Sequence, residues 1–110
     1  KKSTVLILGI TFKENCPDVR NTKVIDIVNA LKEYNLNITI YDPWANPAIA
    51  KHEYGIEIIN ELPKEKFDSV IAAVAHKEFV ELDVTSFLKE KHVIFDVKGF
   101  LKRDIVDGRL

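Results

Sequence analysis

Short runs of apolar residues, separated by amphipathic segments, recur along this chain of 110 residues. The first run covers residues 4–8 and ends at a glycine, which is typical of a strand buried on both faces. Four further runs have the length and composition of strands. The run at residues 69–74 consists mostly of small apolar residues, which suit a sheet centre. The predicted strands cover residues 4–8, 37–41, 56–59, 69–74 and 92–96.

Helix signals lie between these runs. Apolar residues repeat at helical spacing within 24–31 and predict one buried helical face, with Asn21 or Thr22 as the N-cap. Asn46, which precedes a proline, and Gly55 predict the start and the end of a second helix, because proline favours the first helical position and glycine the end. Two shorter helical pieces are expected at 77–82 and 83–89, the second with Asp83 as its N-cap.

Strands that alternate with helices of this length predict parallel strands joined by crossover connections, with helices on both faces of the sheet. We therefore expect an α/β protein, a three-layer Rossmann-like domain with a mainly parallel sheet of about five strands. A hydrophobic content of 46% is enough for the core of one domain, which we place at residues 1–110.

Charge and cysteine content limit the kinds of binding partner and the cellular compartment that the sequence predicts. The net charge is −1 and the isoelectric point is near 6.3, so no global basic field attracts nucleic acid or an acidic membrane. No apolar run approaches the ~20 residues of a membrane span, and no signal peptide opens the sequence. The single cysteine excludes an internal disulfide and predicts a cytoplasmic setting. Lys1 and Lys2 stand directly before a strand without an initiator methionine, which predicts a segment of a longer protein.

The connection at residues 9–23 is longer than packing requires, since connections of this kind usually span about two to six residues. It carries Lys13 and Arg20, and Lys98 follows the last predicted strand. Because parallel sheets bind ligands beyond the carboxyl ends of their strands, these three cations are placed to bind an anion such as a diphosphate. Solvated loop charges explain the same placement equally well, so position alone leaves both interpretations open.

The same connection lacks the pattern of a dinucleotide-binding turn. Gly9 stands without the second and third glycines of that pattern, and the sequence contains no P-loop motif. Asp42 follows the second strand, as a ribose-binding acid does, but it also suits the turn before Pro43. The sequence therefore predicts that this domain does not bind NAD by itself.

Two other functional classes share the alternation of strands and helices. A receiver domain has a lysine like Lys98 after its last strand, but it needs an acidic pair after the first strand and an aspartate after the third. Gly9 and Ile10 occupy the first of these places, and Asn60 follows the predicted third strand, which argues against a receiver. A standalone nucleotide-binding or interaction module without catalysis is the remaining alternative.

Residues 9–23 (GITFKENCPDVRNTK) resemble the motif that opens the C-terminal domain of the UDP-glucose/GDP-mannose dehydrogenase family. Residues 73–79 (AVAHKEF) and 95–99 (FDVKG) resemble the branch of that family that oxidises UDP-N-acetylhexosamines. The resemblance extends over essentially the whole chain.

The resemblance implies a three-domain, homo-oligomeric enzyme in which an N-terminal domain binds NAD, a middle domain dimerises and this domain binds the UDP-sugar. The whole enzyme would oxidise the sugar C6 alcohol to a carboxylate with NAD, for surface polysaccharide biosynthesis. The isolated domain is expected to be inactive, because the NAD-binding loop and the catalytic cysteine of the family lie outside it.

By motif position, the resemblance assigns Phe12, Lys13 and Lys98 to the substrate and Arg20 to the NAD held by the first domain. Lys98 stands where family members often carry an arginine, which keeps the charge but loses the bidentate fork. Cys16 is expected to be a structural or incidental thiol, since its surroundings do not match the motif of the family's catalytic cysteine.

His76 and Trp44 have two interpretations each. His76 would line the nucleotide cleft, with a role in proton transfer, or it would cap the following helix. Trp44 would stack on a base or pack beneath a loop. His52 and His92 resemble surface residues, and no spacing of His, Cys and carboxylate residues predicts a metal site.

Overall fold

A computed structural model of the chain describes residues 3–20, 22–101 and 103–109. Its strands are β1 (Thr4–Leu8), β2 (Asn37–Tyr41), β3 (Phe67–Ala72), β4 (Leu88–Asp96) and β5 (Gly108–Arg109). They form one sheet in the order β2-β1-β3-β4-β5, and each neighbouring pair is parallel. The strand order reverses beside β1, so a ligand is expected at the carboxyl ends of β1 and β3. The predicted α/β class and mainly parallel sheet are confirmed.

The helices are α1 (Val24–Lys32), α2 (Pro47–Tyr54) and α3 (Lys77–Val80), with 3₁₀ helices at Val84–Phe87 and Arg103–Ile105. The predicted ends of α2 are confirmed. The Asn46 side-chain oxygen accepts hydrogen bonds from the backbone N–H groups of Ala48 and Ile49. Gly55 ends the helix in the left-handed conformation, with φ of 68°.

Alternate side chains of β1 enter two separate hydrophobic cores, one on each face of the sheet. Ile7 packs into the core that contains Val28 of α1, whereas Leu8 packs into the core that contains Phe79 of α3. Residues 5–8 are at most 3% exposed. Each such side chain contributes roughly 1.5–3 kcal/mol through burial, and this two-sided burial confirms the three-layer arrangement.

One predicted strand is absent from the sheet, and one strand of the sheet was not predicted. Residues 56–59 form no strand, because only Ile59 pairs with β2, through a single bridge to Tyr41. Ile56 and Ile58 of this segment are buried in the core that contains Val28, so their apolar character reflects side-chain packing. The fifth strand is instead β5, two residues without an apolar run of their own.

The boundaries of other predicted elements also differ. β3 covers residues 67–72, two residues earlier than predicted, because the chain turns after Ala72. The predicted helix at 83–89 is a 3₁₀ helix that ends at Phe87, since Leu88 already pairs with Phe67 in the sheet. Asp83 does precede this 3₁₀ helix, but its side chain makes no capping hydrogen bond.

The N-cap of α1 is Lys23, so the prediction of Thr22 as the cap was wrong. The Thr22 hydroxyl still accepts a hydrogen bond from the Val24 N–H, while it donates to the Thr11 carbonyl. Its side chain therefore links the helix start to the preceding loop. Asn21, the other predicted cap, and Lys1 and Lys2 lie outside the described residues. Across the residues that are described, no helix has the length and apolarity needed to cross a membrane.

Candidate functional site

The loops that follow β1, β2 and β3 meet at the carboxyl edge of the sheet, beside the reversal of strand order. Each loop contributes a buried polar side chain to one cluster, namely Thr11, Asp42 and His76, and each of these is at most 1% exposed. The Asp42 carboxylate lies 2.9 Å from His76 Nε2, and the Thr11 hydroxyl lies 3.1 Å from the same nitrogen. A buried polar cluster of this kind fixes the relative positions of the segments that supply it.

Asp42 is the centre of this cluster. One carboxylate oxygen accepts hydrogen bonds from the backbone N–H groups of Ile10 and Thr11, at 2.8 and 3.2 Å. The other oxygen accepts from the N–H groups of Trp44 and Ala45, at 2.7 and 3.1 Å. Burial alone raises the pKa of the carboxyl group, but the hydrogen bonds outweigh burial and hold its pKa below the usual value. Asp42 therefore caps its own turn, as the turn interpretation predicted, and also anchors the first loop.

His76 lies fully buried between the loops rather than in an open cleft. Its Nδ1 accepts a hydrogen bond of 2.8 Å from the backbone N–H of Asn15, which belongs to the first loop. His76 occupies the N-cap position of α3, as the capping interpretation predicted, but its side chain makes no capping hydrogen bond. The side chain instead contacts residues that lie 34 to 65 positions away in sequence.

The first loop, residues 9–23, begins with a close backbone approach. Gly9 adopts φ of 97°, and a Cβ at this position would lie 2.5 Å from the Val74 Cβ. Beyond it, the loop closes on itself through a hydrogen bond of 2.7 Å from the Phe12 N–H to the Asp18 carbonyl. Asn15, with φ of 55°, forms the turn within this closed segment.

Phe12 and Lys13 extend from this loop into solvent. Phe12 is 54% exposed. The Lys13 carbonyl accepts a hydrogen bond of 2.9 Å from the Thr11 hydroxyl, so the Lys13 backbone is held while its ammonium faces water. Cys16 in the same loop is a half-buried free thiol.

Arg20 is also exposed, and an ion pair with Asp18 orients it. Its Nε lies 3.1 Å from Asp18 Oδ1. The backbone N–H of Arg20 and then its guanidinium lower the pKa of the Asp18 carboxyl group. Arg20 lines two surface grooves of about 590 and 440 Å³, and Glu53 of α2 lines both as well. The guanidinium thus lies on the side of the loop that faces α2.

Lys98 lies at the exposed tip of the loop that follows β4. This loop is held by Asp96, a fully buried residue whose two carboxylate oxygens accept hydrogen bonds from the Gly99 and Leu101 N–H groups, both at 2.7 Å. Only β3 separates β4 from β1. With neighbouring strands about 4.8 Å apart, the loops of Lys13 and Lys98 start roughly 10 Å apart.

Trp44 covers the buried cluster from outside. Its ring stacks on His76 with 6.0 Å between the ring centroids, and its indole N–H donates to the Glu78 carboxylate at 2.8 Å. The Lys77 ammonium lies 5.5 Å from the Trp44 ring centroid, at cation–π distance. Trp44 therefore packs against His76 and contacts Glu78 and Lys77, and its stacking on a base stays a prediction.

The carboxyl edge lacks the acids of a receiver domain. Gly9 and Ile10 follow β1, and Ala73 and Val74 follow β3, the actual third strand. The aspartate that the receiver chemistry needs after the third strand is therefore missing from the described structure as well. Within the described part of the chain, no group of three or more His, Cys, Asp or Glu side chains is placed to hold a metal ion.

The sequence analysis singled out Asp42 and His76, but not Thr11 or Asn15. It also did not predict that these residues contact one another. Asp42 and His76 follow different strands, and only the sheet order shows that these strands flank β1. A usable signal was present, since polar residues that directly follow buried parallel strands meet at one edge. The substrate residues Phe12, Lys13 and Lys98 stay predictions.

Comparison with known proteins assigns a family to this arrangement. The model of the UDP-glucose/GDP-mannose dehydrogenase family, UDP binding domain, matches residues 6–103. The UDP-N-acetyl-D-glucosamine 6-dehydrogenase of Salmonella typhi is 44% identical over 111 residues, which cover 98% of this chain and 26% of that protein. The enzyme of the same name from Pseudomonas aeruginosa is 46% identical over 109 residues, with 96% and 26% covered. The chain thus spans about a quarter of the length of these relatives.

Solved structures share the same fold. NDP-N-acetyl-D-galactosaminuronic acid dehydrogenase from Methanosarcina mazei superposes with a TM-score of 0.81 at 20% identity, over 98% of this chain and 24% of that one. UDP-glucose dehydrogenase from Pyrobaculum islandicum has a TM-score of 0.75 at 23% identity, over 99% and 25%. At these identities the likeness shows the fold.

Proposed function

This chain belongs to the UDP-glucose/GDP-mannose dehydrogenase family, and we propose that it is the UDP-sugar-binding C-terminal domain of a three-domain, NAD-dependent 6-dehydrogenase. The whole enzyme oxidises the C6 alcohol of a UDP-N-acetylhexosamine to the carboxylate in two steps, passing one hydride to each of two NAD molecules, and supplies surface polysaccharide biosynthesis in the cytoplasm. The match to the family's UDP-binding domain over residues 6–103 carries this proposal. The N-acetylhexosamine is favoured by the 44% and 46% identity to two UDP-N-acetyl-D-glucosamine 6-dehydrogenases.

Phe12, Lys13 and Lys98 form the substrate-binding part of this domain. The two ammonium groups supply point charges for the diphosphate of the UDP-sugar from loops on both sides of β3. The exposed Phe12 side chain supplies an apolar surface next to them, and substrate would cover it. Support for this placement comes from the carboxyl ends of β1 and β4, the edge at which parallel sheets bind ligands.

Arg20 contacts NAD that is bound on the N-terminal domain. Asp18 holds its Nε, and the two terminal nitrogens of the guanidinium remain to bind a phosphate of the cofactor. The N-terminal and middle domains supply the NAD-binding loop, the catalytic cysteine and the contacts of a homo-oligomer. The 110-residue chain alone therefore has no turnover, and NADH production by it would contradict the proposal.

The binding proposal is tested by an amide-resolved NMR titration of the chain with UDP, with NAD as the parallel ligand. We expect UDP to shift the resonances of residues 11–20, 75–77 and 97–99, with little response to NAD. A stronger response to NAD than to UDP would overturn the assignment of this domain.

The matched variants are Lys13→Ala and Lys66→Ala. Both remove an exposed lysine, but Lys66 directly precedes β3 and thus lies at the opposite end of the sheet. Loss of one charge-assisted contact costs roughly 1.5–3 kcal/mol, so Lys13→Ala should raise the Kd for UDP about 10- to 100-fold. The Kd of Lys66→Ala should equal that of the unmodified chain. Equal Kd values for the two variants would remove Lys13 from the site.

A further inference from the structure

The hydrogen bonds of His76 determine where its imidazole carries a proton. Nδ1 accepts the backbone N–H of Asn15 at 2.8 Å, and an amide N–H can only donate, so Nδ1 must present a lone pair. Nε2 lies 2.9 Å from the Asp42 carboxylate, which can only accept. The ring is therefore the neutral tautomer with its proton on Nε2.

Thr11 leads to the same tautomer independently. The single proton of its hydroxyl is committed to the Lys13 carbonyl at 2.9 Å. The contact of 3.1 Å between this hydroxyl oxygen and His76 Nε2 is then possible only if Nε2 donates. The Nε2 proton is thus shared between two acceptors, and Nδ1 is left to the first loop.

The ring cannot easily rotate out of these contacts. It is fully buried, with the Trp44 ring centroid 6.0 Å away and the Phe79 ring centroid 5.4 Å away. The next residue adds a parallel contact, because the Lys77 N–H donates to the Asn15 side-chain oxygen at 2.8 Å. Asn15 is therefore held on its backbone and on its side chain by two consecutive residues after β3.

These contacts fix the segment that carries Phe12 and Lys13 from both ends. At its start, Asp42 accepts the N–H groups of Ile10 and Thr11. At its far end, two residues after Lys13, the backbone N–H of Asn15 is held by His76. The Lys13 ammonium therefore starts from a backbone whose position is set before any ligand binds, which lowers the ordering cost of binding.

We propose that His76 is the positioning residue of the nucleotide-sugar site: its unprotonated Nδ1 holds the Asn15 N–H and thereby presents Lys13 to the diphosphate. This inference rests on the proposed function for its ligand, but the hydrogen bond itself is independent of it. His76 touches no substrate and transfers no proton.

The first experiment needs neither a ligand nor a variant. In ¹⁵N-labelled chain at neutral pH, NMR should show Nδ1 of His76 unprotonated and Nε2 protonated, with a scalar coupling between Nδ1 and the Asn15 amide nitrogen across the hydrogen bond. His52 and His92, both exposed, serve as internal references. A proton on Nδ1 would overturn the inference whatever the chain binds.

The second experiment separates the two ring nitrogens with His76→Asn and His76→Gln. The Asn side chain places an acceptor near the former Nδ1, whereas the Gln side chain places a donor near the former Nε2 and leaves the Asn15 N–H without its partner. We expect the Kd for UDP to rise about tenfold in His76→Gln, equivalent to roughly 1.4 kcal/mol, and about twofold in His76→Asn. Amide hydrogen exchange of residues 12–15, measured without ligand, should accelerate in His76→Gln only.

The outcomes keep the two proposals apart. If UDP does not bind the unmodified chain but the exchange of residues 12–15 separates the variants as expected, the proposed function fails and the positioning role of His76 stands for a different ligand. If both variants lose affinity and exchange protection in proportion to their loss of thermal stability, His76 is merely structural and the inference fails. If both variants fold too poorly to compare, the N–N coupling in the unmodified chain decides.

Discussion

Lys13 and Lys98 stand on loops that follow β1 and β4, and each loop is anchored by the backbone N–H groups that a buried aspartate accepts. For Lys98 the aspartate is Asp96, two residues earlier in the same segment. For Lys13 the aspartate is Asp42, which lies at the end of a different strand. It is 32 positions away from Ile10, whose N–H group it accepts. His76, from a third segment, completes the second arrangement.

The position of each lysine depends on the whole fold to a different extent. The loop of Lys98 is a local turn that Asp96 organises from within. The loop of Lys13 takes its path only after β1, β2 and β3 have paired, because its anchors come from all three loops. The first loop can therefore be disturbed from positions remote in sequence, whereas the carboxylate that holds the Gly99 and Leu101 N–H groups of the second loop comes from the same segment.

The largest effect that separates the two loops is expected from Asp42→Asn. An amide nitrogen in place of one carboxylate oxygen orphans at least one pair of buried donors, at roughly 1–3 kcal/mol each, so we expect a loss of about 3 kcal/mol in the free energy of unfolding. Urea denaturation measures it. Asp68→Asn is the control, since Asp68 makes similar contacts with the Thr4 N–H and with Lys89 at the amino end of the sheet but is half-exposed. An equal loss in both variants would contradict the central role of Asp42.

A smaller and more local effect is expected from Asp96→Asn. One of the Gly99 and Leu101 N–H groups loses its acceptor, which should cost about 1–2 kcal/mol. Amide exchange of residues 99–101 should accelerate while that of Ile10 and Thr11 stays unchanged. Asp83→Asn, at an exposed position, provides the control. Faster exchange at Ile10 would mean that the two loops are coupled after all.

The smallest effect is expected in the pH dependence of the contribution of Asp42 to stability. Because the pKa of Asp42 is lowered in the folded state, its contribution to stability is fully present above the unfolded value of about 3.9 and is lost as the pH falls through the lower folded value. The difference in unfolding free energy between the unmodified chain and Asp42→Asn should therefore shrink on acidification below about pH 4. Urea denaturation at a series of pH values measures this difference. A difference that grows with acid would mean that the lowered pKa belongs to another group.

The sequence was sufficient for the parts of the fold that local signals encode. The apolar run of β1 and the Asn46–Gly55 boundaries of α2 depend on neighbours within a few residues. Residues 56–59 were misjudged because buried apolar residues give the same pattern whether the backbone pairs or not. β5 was missed because two residues carry no periodicity.

The site was predictable to the same extent. The resemblance and the carboxyl-edge rule indicated Lys13 and Lys98, but the contact between His76 and Asn15 joins residues 61 positions apart. Such a contact follows from strand order, which the chain's local chemistry does not specify. Neither interpretation of His76 from the sequence therefore included a hydrogen bond from the Asn15 backbone N–H to its ring.

Asp42 and His76 hold the first loop mainly through its backbone N–H groups. The groups that Asp42 and His76 hold are the N–H groups of Ile10, Thr11 and Asn15, and any residue other than proline offers the same group. The side chains of residues 12–14 take no part in these particular bonds and point outward. Substitutions at residues 12–14 can therefore change the exposed surface of the first loop without removing the hydrogen bonds that set its backbone path.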